Sequence, residues 1–229
     1  MRENTTVCAL STPRGKGGIA VIRISGEKAI EITEKTVKSN KKITEADGYT
    51  IVYGKAYGKE HEIDEVLVSV FRAPNSFTGE NVCEISCHGS NISVERIIDA
   101  LVENGAFLAA KGEFTKRAFL NGKMSLTQAE AVHDIIESKT DEALYAAVNR
   151  LNGAITKPII KIRGELLDLL AAIQVSSDFP EEDIDTFAGG ELIDKLTNVE
   201  TELLTIEEYA DSTNETVFEV KKRIESAML

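Results

Sequence analysis

The amino-acid sequence predicts an α+β protein, with a mixed α/β domain at the N-terminus and an all-α helical domain after it. The 229 residues are 42% apolar and carry an ordinary density of charge, which suffices for a sizeable core. Up to about Ala110, short runs rich in β-branched residues are interleaved with two helical patterns. From Ser125 onward, apolar residues recur with a period near 3.6, which is typical of amphipathic helices.

Six strand patterns and two helix patterns occupy the first half. The strands are predicted at residues 6–10, 19–24, 49–57, 65–71, 81–87 and 106–109, and the helices at residues 27–37 and 92–103. The run 19–24 is apolar on both faces except for Arg23, which predicts a strand buried on both sides. Since an unpaired buried charge is costly, Arg23 must meet a carboxylate, a ligand anion or water. A structural ion pair or a snorkelling side chain is the alternative to a binding role.

The second half is predicted to be helical. A capping box from Ser125 to Gln128 and an N-cap at Thr140 begin two helices. Pro158 either begins a third helix or kinks a longer one, and of these the kink is favoured. A further amphipathic helix is predicted at residues 191–209. The acids of residues 178–185 lack the spacing of a calcium loop, so we attribute them to a helix N-terminus.

The charge and the cysteine content exclude several classes of protein. A net charge of −12 argues against clamping nucleic acid over a broad surface, so any RNA contact is expected to be local or through a partner. Cys8, Cys83 and Cys87 are too few and too odd in number for a disulfide framework. No long apolar run and no secretory signal is found. We therefore expect a cytoplasmic, reduced protein without a membrane partner.

Familiar nucleotide and metal motifs are missing or weak. No segment fits G-x-x-x-x-G-K-[ST] or G-x-G-x-x-G, so we expect no P-loop and no dinucleotide fingerprint. Cys83, Cys87 and His88 would need Cys8 or His61 to complete a zinc site. Cysteines that alternate along one strand face are more simply core residues. We therefore predict no metal site, and we assign no catalytic residue.

Two polar stretches are candidates for a binding site. Residues 74–80 form a turn-rich loop ending at Glu80. The Glu80 carboxylate could be solvated, pair with Arg23, or accept two hydrogen bonds from a planar amino-heterocycle. Residues 111–123 carry cations among large apolar residues, and these cations are either solvated or hold the anionic tail of a ligand. From the residues alone, these alternatives stay open.

Five ordered motifs resemble the tRNA-modification GTPase family known as MnmE or TrmE. They are PRGKGGIAVIRISG at residues 13–26, PNSFTGE at 74–80 with CHG at 87–89, GEFTKRAFLNGK at 112–123, QAEA at 128–131 and DFPEE at 178–182. The resemblance covers residues 5 to about 205. Five motifs in the family's order make a chance likeness a poor explanation.

The resemblance implies a tetrahydrofolate-binding and dimerisation domain over residues 1–120 and a helical domain over residues 121–229. The family's folate contacts correspond to Arg23, Glu80 and Lys123, with 5-formyl- or 5,10-methylene-tetrahydrofolate as the ligand. It also implies a homodimer that acts with the flavin-dependent partner MnmG (GidA). Together they install an aminomethyl-type group at C5 of the wobble uridine of certain tRNAs, and the contact with tRNA is expected to be indirect.

Some features of the family are not found in these residues. Its G domain, which holds GTP and potassium, is expected from near residue 215, and a C-terminal return ending in Cys-Ile-Gly-Lys is expected after it. Residues 210–229 match none of its motifs, and Met124, Ser125 and Leu126 replace the more usual Leu-Asp-Leu. The alternative is a stand-alone dimeric folate-binding or scaffold protein without tRNA-modification activity. Whether Leu229 is the natural end of the chain is an open question.

Overall fold

The computed structural model of the protein describes residues 5–59, 61–178 and 189–212. The chain divides into two compact units, residues 1–124 and 125–229, which we call the N-terminal unit and the C-terminal unit. The first is a mixed sheet with helices and the second is helical, which confirms the predicted α+β class. The division falls after Met124, whereas the predicted domain boundary follows Leu120.

The N-terminal unit is built on one sheet of seven described strands. Its elements are β1 Val7–Leu10, β2 Gly17–Ser25, α1 Ala29–Thr36, β3 Val37–Ser39, a 3₁₀ turn Ile43–Glu45, β4 Thr50–Tyr57, β5 Glu62–Phe71, β6 Val82–Gly89, α2 Asn91–Glu103, β7 Phe107–Leu108 and α3 Glu113–Leu120. The strand order is β3-β4-β5-β6-β2-β1-β7, and only the β1–β7 pair is parallel. All six predicted strands and both helices are present, whereas β3 and α3 were not predicted.

The core of this unit lies between one face of the sheet and the helices α1 and α2. Cys8, Ile24 and Cys83 lie opposite one another across β1, β2 and β6, and all three are fully buried. Burial raises the pKa of the Cys8 and Cys83 thiols to about 11. These cysteines therefore act as small core residues and stay protonated at neutral pH.

The prediction that β2 is buried on both sides is wrong. Ala20, Ile22 and Ile24 are buried against the helices, but Ile19 is 71% exposed, and Val21 and Arg23 are half-buried. Helices α1 and α2 cover only one face of the sheet. Since successive side chains of a strand point to opposite faces, every second residue of β2 lies on the side away from these helices. We call the other side, which carries Val21 and Arg23, the open face.

The C-terminal unit contains α4 Leu126–Glu137, α5 Asp141–Leu151, α6 Thr156–Asp178 and α7 Gly189–Ser212 among its described residues. The capping box at Ser125 and Gln128 and the N-cap at Thr140 are both confirmed. The predicted kink at Pro158 is wrong, because this residue lies in the first turn of α6, where backbone N–H groups have no intrahelical acceptor.

Helices α6 and α7 pack through a small apolar cluster. Its buried members are Ile155, Ile159, Ile162, Val199 and Ile206. The predicted helix at residues 191–209 lies inside α7. The acidic stretch at residues 178–185 falls outside the part of the chain whose side chains are described. Over residues 5–59, 61–178 and 189–212, none of the helices combines the length and the apolar content required to span a membrane.

Candidate functional site

The predicted site residues Arg23 and Glu80 lie near one end of the open face. Arg23 and Ser25 alternate along β2 and therefore point to the same side of the sheet. The loop at residues 73–81, which connects β5 to β6, contacts Ser25 through Thr78, with 2.7 Å between the two hydroxyl oxygens. Thr78 and Ser25 are both fully buried. The loop is thus anchored to the sheet directly beside Arg23.

Arg23 forms an ion pair with Glu84 of β6, its register partner. Its Nε and Nη2 atoms donate to the same carboxylate oxygen, Oε1, at 2.8 and 2.7 Å. The guanidinium also lies 5.0 Å from the ring centroid of Phe77 and 5.5 Å from that of Phe114, which are cation–π distances. The alternative in which Arg23 pairs with Glu80 is therefore wrong. Among the described residues, Arg23 Nη1 has no hydrogen-bond acceptor, so this edge can receive an anion.

Glu80 belongs to a second, separate network. Its Oε2 accepts a hydrogen bond from Ser25 Oγ at 2.6 Å. Arg117 Nη1 lies 3.1 Å from Oε1 and 3.2 Å from Oε2. Each carboxylate oxygen has two lone pairs, so Oε2 is fully used and Oε1 keeps one acceptor direction. In this arrangement Glu80 can accept one further donor, not the two hydrogen bonds of a planar amino-heterocycle that its sequence position allows.

Arg117 of α3 connects Glu80 to Glu113. Its Nη2 and Nε donate to Glu113 Oε1 at 2.9 and 3.3 Å, and its Nη1 also donates to the Thr5 carbonyl at 2.8 Å. Glu113 accepts a further bond from the Ala110 N–H at 2.6 Å. Burial works against ionisation of Glu113, but the Ala110 N–H and the Arg117 guanidinium outweigh it and lower the pKa of this carboxyl. Glu113 is therefore an ionised anchor for Arg117.

Lys123 contacts the other side of the loop at residues 73–81. Its Nζ donates to the Pro74 carbonyl at 3.0 Å, and the neighbouring Asn121 donates to the Thr78 carbonyl at 2.7 Å. Gly79 has a φ of +78° and leaves room for Lys123, whose Cγ would lie 3.1 Å from a Cβ at that position. All three predicted residues thus lie on or beside this loop.

Sequence reasoning missed four residues that organise these networks: Ser25, Glu84, Glu113 and Arg117. Glu113 and Arg117 are four residues apart, which is the spacing of a helical ion pair and was a usable signal. Glu84 is opposite Arg23 only because of the β2–β6 register. The register depends on connections that the sequence alone does not specify.

The site combines three cations, Arg23, Arg117 and Lys123, with three carboxylates, Glu80, Glu84 and Glu113. It offers a carboxylate acceptor at Glu80 Oε1, a guanidinium edge at Arg23, and an aromatic wall at Phe77, which is 37% exposed. Such a set suits a planar ligand that has an amino donor at one end and an anion at the other.

A second polar pair lies at the end of β6. Asp64 accepts from the His88 backbone N–H at 2.8 Å, and 2.6 Å separates its other oxygen from His88 Nδ1. This hydrogen bond raises the pKa of His88, whose side chain is 72% exposed. No group of three or more His, Cys, Asp or Glu side chains within the described ranges has a metal-binding arrangement. The pair is best explained as a structural contact that holds β5 against the end of β6.

Comparison with known proteins identifies two matching families. Residues 6–123 match the family described as GTP-binding protein TrmE N-terminus, and residues 126–216 match the MnmE helical domain. The second match includes residues 210–216, which match none of the motifs above.

Several curated relatives carry the name tRNA modification GTPase MnmE. The protein from Clostridioides difficile is 43% identical over 209 residues, which is 90% of this chain and 46% of that protein. Its namesake from Listeria welshimeri is 48% identical over 181 residues, 79% of this chain and 40% of the relative. The protein from Acetivibrio thermocellus is 43% identical over 208 residues, 90% and 45% of the two lengths. The chain thus spans less than half the length of these relatives.

Proposed function

We propose, since the chain belongs to the MnmE (TrmE) family, that it forms the folate-binding and dimerising portion of a cytoplasmic tRNA-modification GTPase. In this proposal it acts with the flavin-dependent partner MnmG to form the 5-aminomethyl-type modification of the tRNA wobble uridine. A bound 5-formyl- or 5,10-methylene-tetrahydrofolate would supply the one-carbon unit. We assign no GTPase site to these 229 residues, because no segment has the G-x-x-x-x-G-K-[ST] sequence.

The observation that carries the folate proposal is the arrangement around the loop at residues 73–81. Glu80 Oε1 retains one acceptor direction, which suits the amino group of a pterin. Arg23 presents its Nη1 edge beside Phe77, and Lys123 lies against the loop. The two cations would hold a pterin oxygen or the glutamate tail of the ligand.

The dimer proposal is supported by the open face. Tyr53, Leu67, Ser86 and Val21 form a continuous row across β4, β5, β6 and β2. Tyr53 is 55% exposed and Leu67 is 46% exposed, and Ile51, next along β4, is 67% exposed. Exposed apolar residues that lie together on one face are typical of a protein contact surface. A second copy packed on this face would cover it.

Titration calorimetry with 5-formyltetrahydrofolate tests the folate proposal. Charge-assisted hydrogen bonds contribute roughly 1.5–3 kcal/mol each, so Glu80→Ala or Arg23→Ala should weaken binding about tenfold or more. Lys123→Ala should weaken it less, because a flexible and hydrated lysine loses less when its partner is removed. Glu45→Ala, which removes an exposed ion pair with Lys42, is the matched control and should leave affinity unchanged.

Two results would contradict the proposal at different levels. Unchanged affinity in a well-folded Glu80→Ala protein would remove Glu80 from the folate site. The wider role requires a cellular assay, in which Glu80→Ala is placed in the full-length gene and wobble-uridine modification is measured by mass spectrometry of tRNA nucleosides. If the wild-type chain binds folate but Glu80→Ala leaves wobble-uridine modification unchanged in cells, the alternative of a stand-alone folate-binding or scaffold protein would be favoured.

A further inference from the structure

We infer that Arg117 is a positioning residue of the proposed site. Its guanidinium holds the Glu80 carboxylate so that Oε1 is the oxygen offered to the ligand. The inference rests on the proposed function, because it concerns the folate that Glu80 would bind. Arg117 would not touch the ligand. It would act through Glu80 alone.

The geometry leaves Arg117 little freedom. Nη1 bonds to Glu80 and to the Thr5 carbonyl, while Nη2 and Nε bond to Glu113. The side chain is 12% exposed. Since the guanidinium is planar and its donors have fixed directions, it cannot turn without breaking bonds to both Glu113 and Thr5. Glu80 is therefore held by a partner that is itself fixed.

The two oxygens of Glu80 differ because their donors differ. Oε2 receives both Ser25 and Arg117, whereas Oε1 receives Arg117 alone. Ser25 is in turn held by a hydrogen bond with Thr78. With Arg117 removed, Glu80 keeps only the Ser25 bond, and its carboxylate can rotate about that single contact. The acceptor direction at Oε1 would then no longer be defined.

Arg117 also balances the charges of two neighbouring carboxylates. Glu80 and Glu113 both bind its guanidinium, at 3.1 and 2.9 Å. Without the cation, the like charges of Glu80 and Glu113 repel, and the Ser25 bond alone does not fix the direction of Glu80 Oε1. Lysine is a point charge without the planar fork, so Arg117→Lys keeps the charge and loses the simultaneous contacts.

The test compares two ligands by titration calorimetry on the full chain. One is 5-formyltetrahydrofolate, and the other is its 2-desamino-2-methyl analogue, which lacks the amino donor that Glu80 would accept. We expect Arg117→Lys and Arg117→Met to weaken the first ligand about tenfold and the second less than about threefold. We also expect Glu80→Ala combined with Arg117→Met to bind the first ligand no more weakly than Glu80→Ala alone. Arg150→Met is the matched control, because Arg150 is a half-buried arginine that pairs with Asp134 within the C-terminal unit.

The outcomes separate the inference from the proposed function. Failure of the wild-type chain to bind 5-formyltetrahydrofolate would overturn the folate proposal, and the inference with it. Wild-type binding with equal losses for both ligands, or with no loss, would overturn only the role of Arg117. Thermal melts identify variants that fail to fold. If an Arg117 variant does not fold, Glu113→Gln removes the anchor of Arg117 without changing Glu80. We expect this variant to weaken binding of 5-formyltetrahydrofolate by about threefold more than binding of the analogue.

Discussion

Arg23 and Glu80 lie in two separate ion-pair networks, and this separation makes a sharp prediction about stability. Arg23 bonds to Glu84 through Nε and Nη2, whereas Glu80 bonds to Ser25 and Arg117. Removing Arg23 should therefore interact energetically with removal of Glu84 and not with removal of Glu80. The variants are Arg23→Met, which keeps the apolar stem, together with Glu84→Gln, Glu80→Gln and the two double combinations.

The expected magnitude follows from the contacts. Hydrogen bonds to charged groups contribute roughly 1.5–3 kcal/mol, and each cation–π contact adds about 0.5–1 kcal/mol. Since the two side chains of the pair are 23% and 25% exposed, solvent screening reduces these values. We expect Arg23→Met to lower the free energy of unfolding by about 2–3 kcal/mol and Glu84→Gln by about 1–2 kcal/mol. The coupling between them should be about 1 kcal/mol or more.

Urea denaturation of the full chain, followed by circular dichroism, measures these free energies. Hydrogen exchange in peptides from β2 and β6 assigns the transition to the N-terminal unit. The cycle between Arg23 and Glu80 is the control, and its coupling should stay below about 0.5 kcal/mol because the two share no partner. A coupling of Arg23 with Glu80 that equals or exceeds its coupling with Glu84 would refute the separation into two networks.

Four further outcomes are expected. Calorimetry should show no GTP binding by these 229 residues, so micromolar affinity would contradict the absence of a P-loop. Light scattering at tens of micromolar should give the mass of a dimer, whose interface we expect within the first ~110 residues. Leu67→Lys on the open face should give a monomer. Asp64 raises the pKa of His88, so the stabilisation from this pair should be fully present below about pH 6.5, the ordinary histidine pKa. It should be lost as the pH rises through the higher pKa of the folded state. In thermal melts, His88→Gln should abolish this pH dependence. Ser125→Ala should cost about 1 kcal/mol by removing the cap of α4, as measured by denaturation.

The elements that the sequence predicted well are those with a strong local period. Strand alternation placed β4, β5 and β6 within a few residues, and the capping box located the start of α4. The three-residue β3 is too short to show an alternating pattern. The segment of α3 mixes charges with large apolar side chains, which favours a polar junction between the two halves over a helix. The formation of these two elements depends on tertiary contacts, such as those of Arg117 with Glu80 and Thr5.

Burial of β2 was predicted wrongly for a different reason. Ile19 and Val21 are as apolar as Ile22 and Ile24, so composition alone indicates cover on both faces. In the described chain the face of Ile22 and Ile24 packs against α1 and α2, whereas the face of Val21 and Arg23 meets helix α3 only near Arg23. A sequence reports that a face is apolar, but it does not report whether the cover comes from the same chain or from a partner.

The charges of the site were identified individually, but their pairing required the structure. Three cations face three carboxylates, so the cluster carries no net charge when all six groups are ionised. In a chain with a net charge of −12, an anionic ligand would therefore gain little from the long-range field. Selectivity must therefore come from the directions of donors and acceptors. Glu84 orients Arg23 and Arg117 orients Glu80, so these two residues matter as much as the two that would contact the ligand.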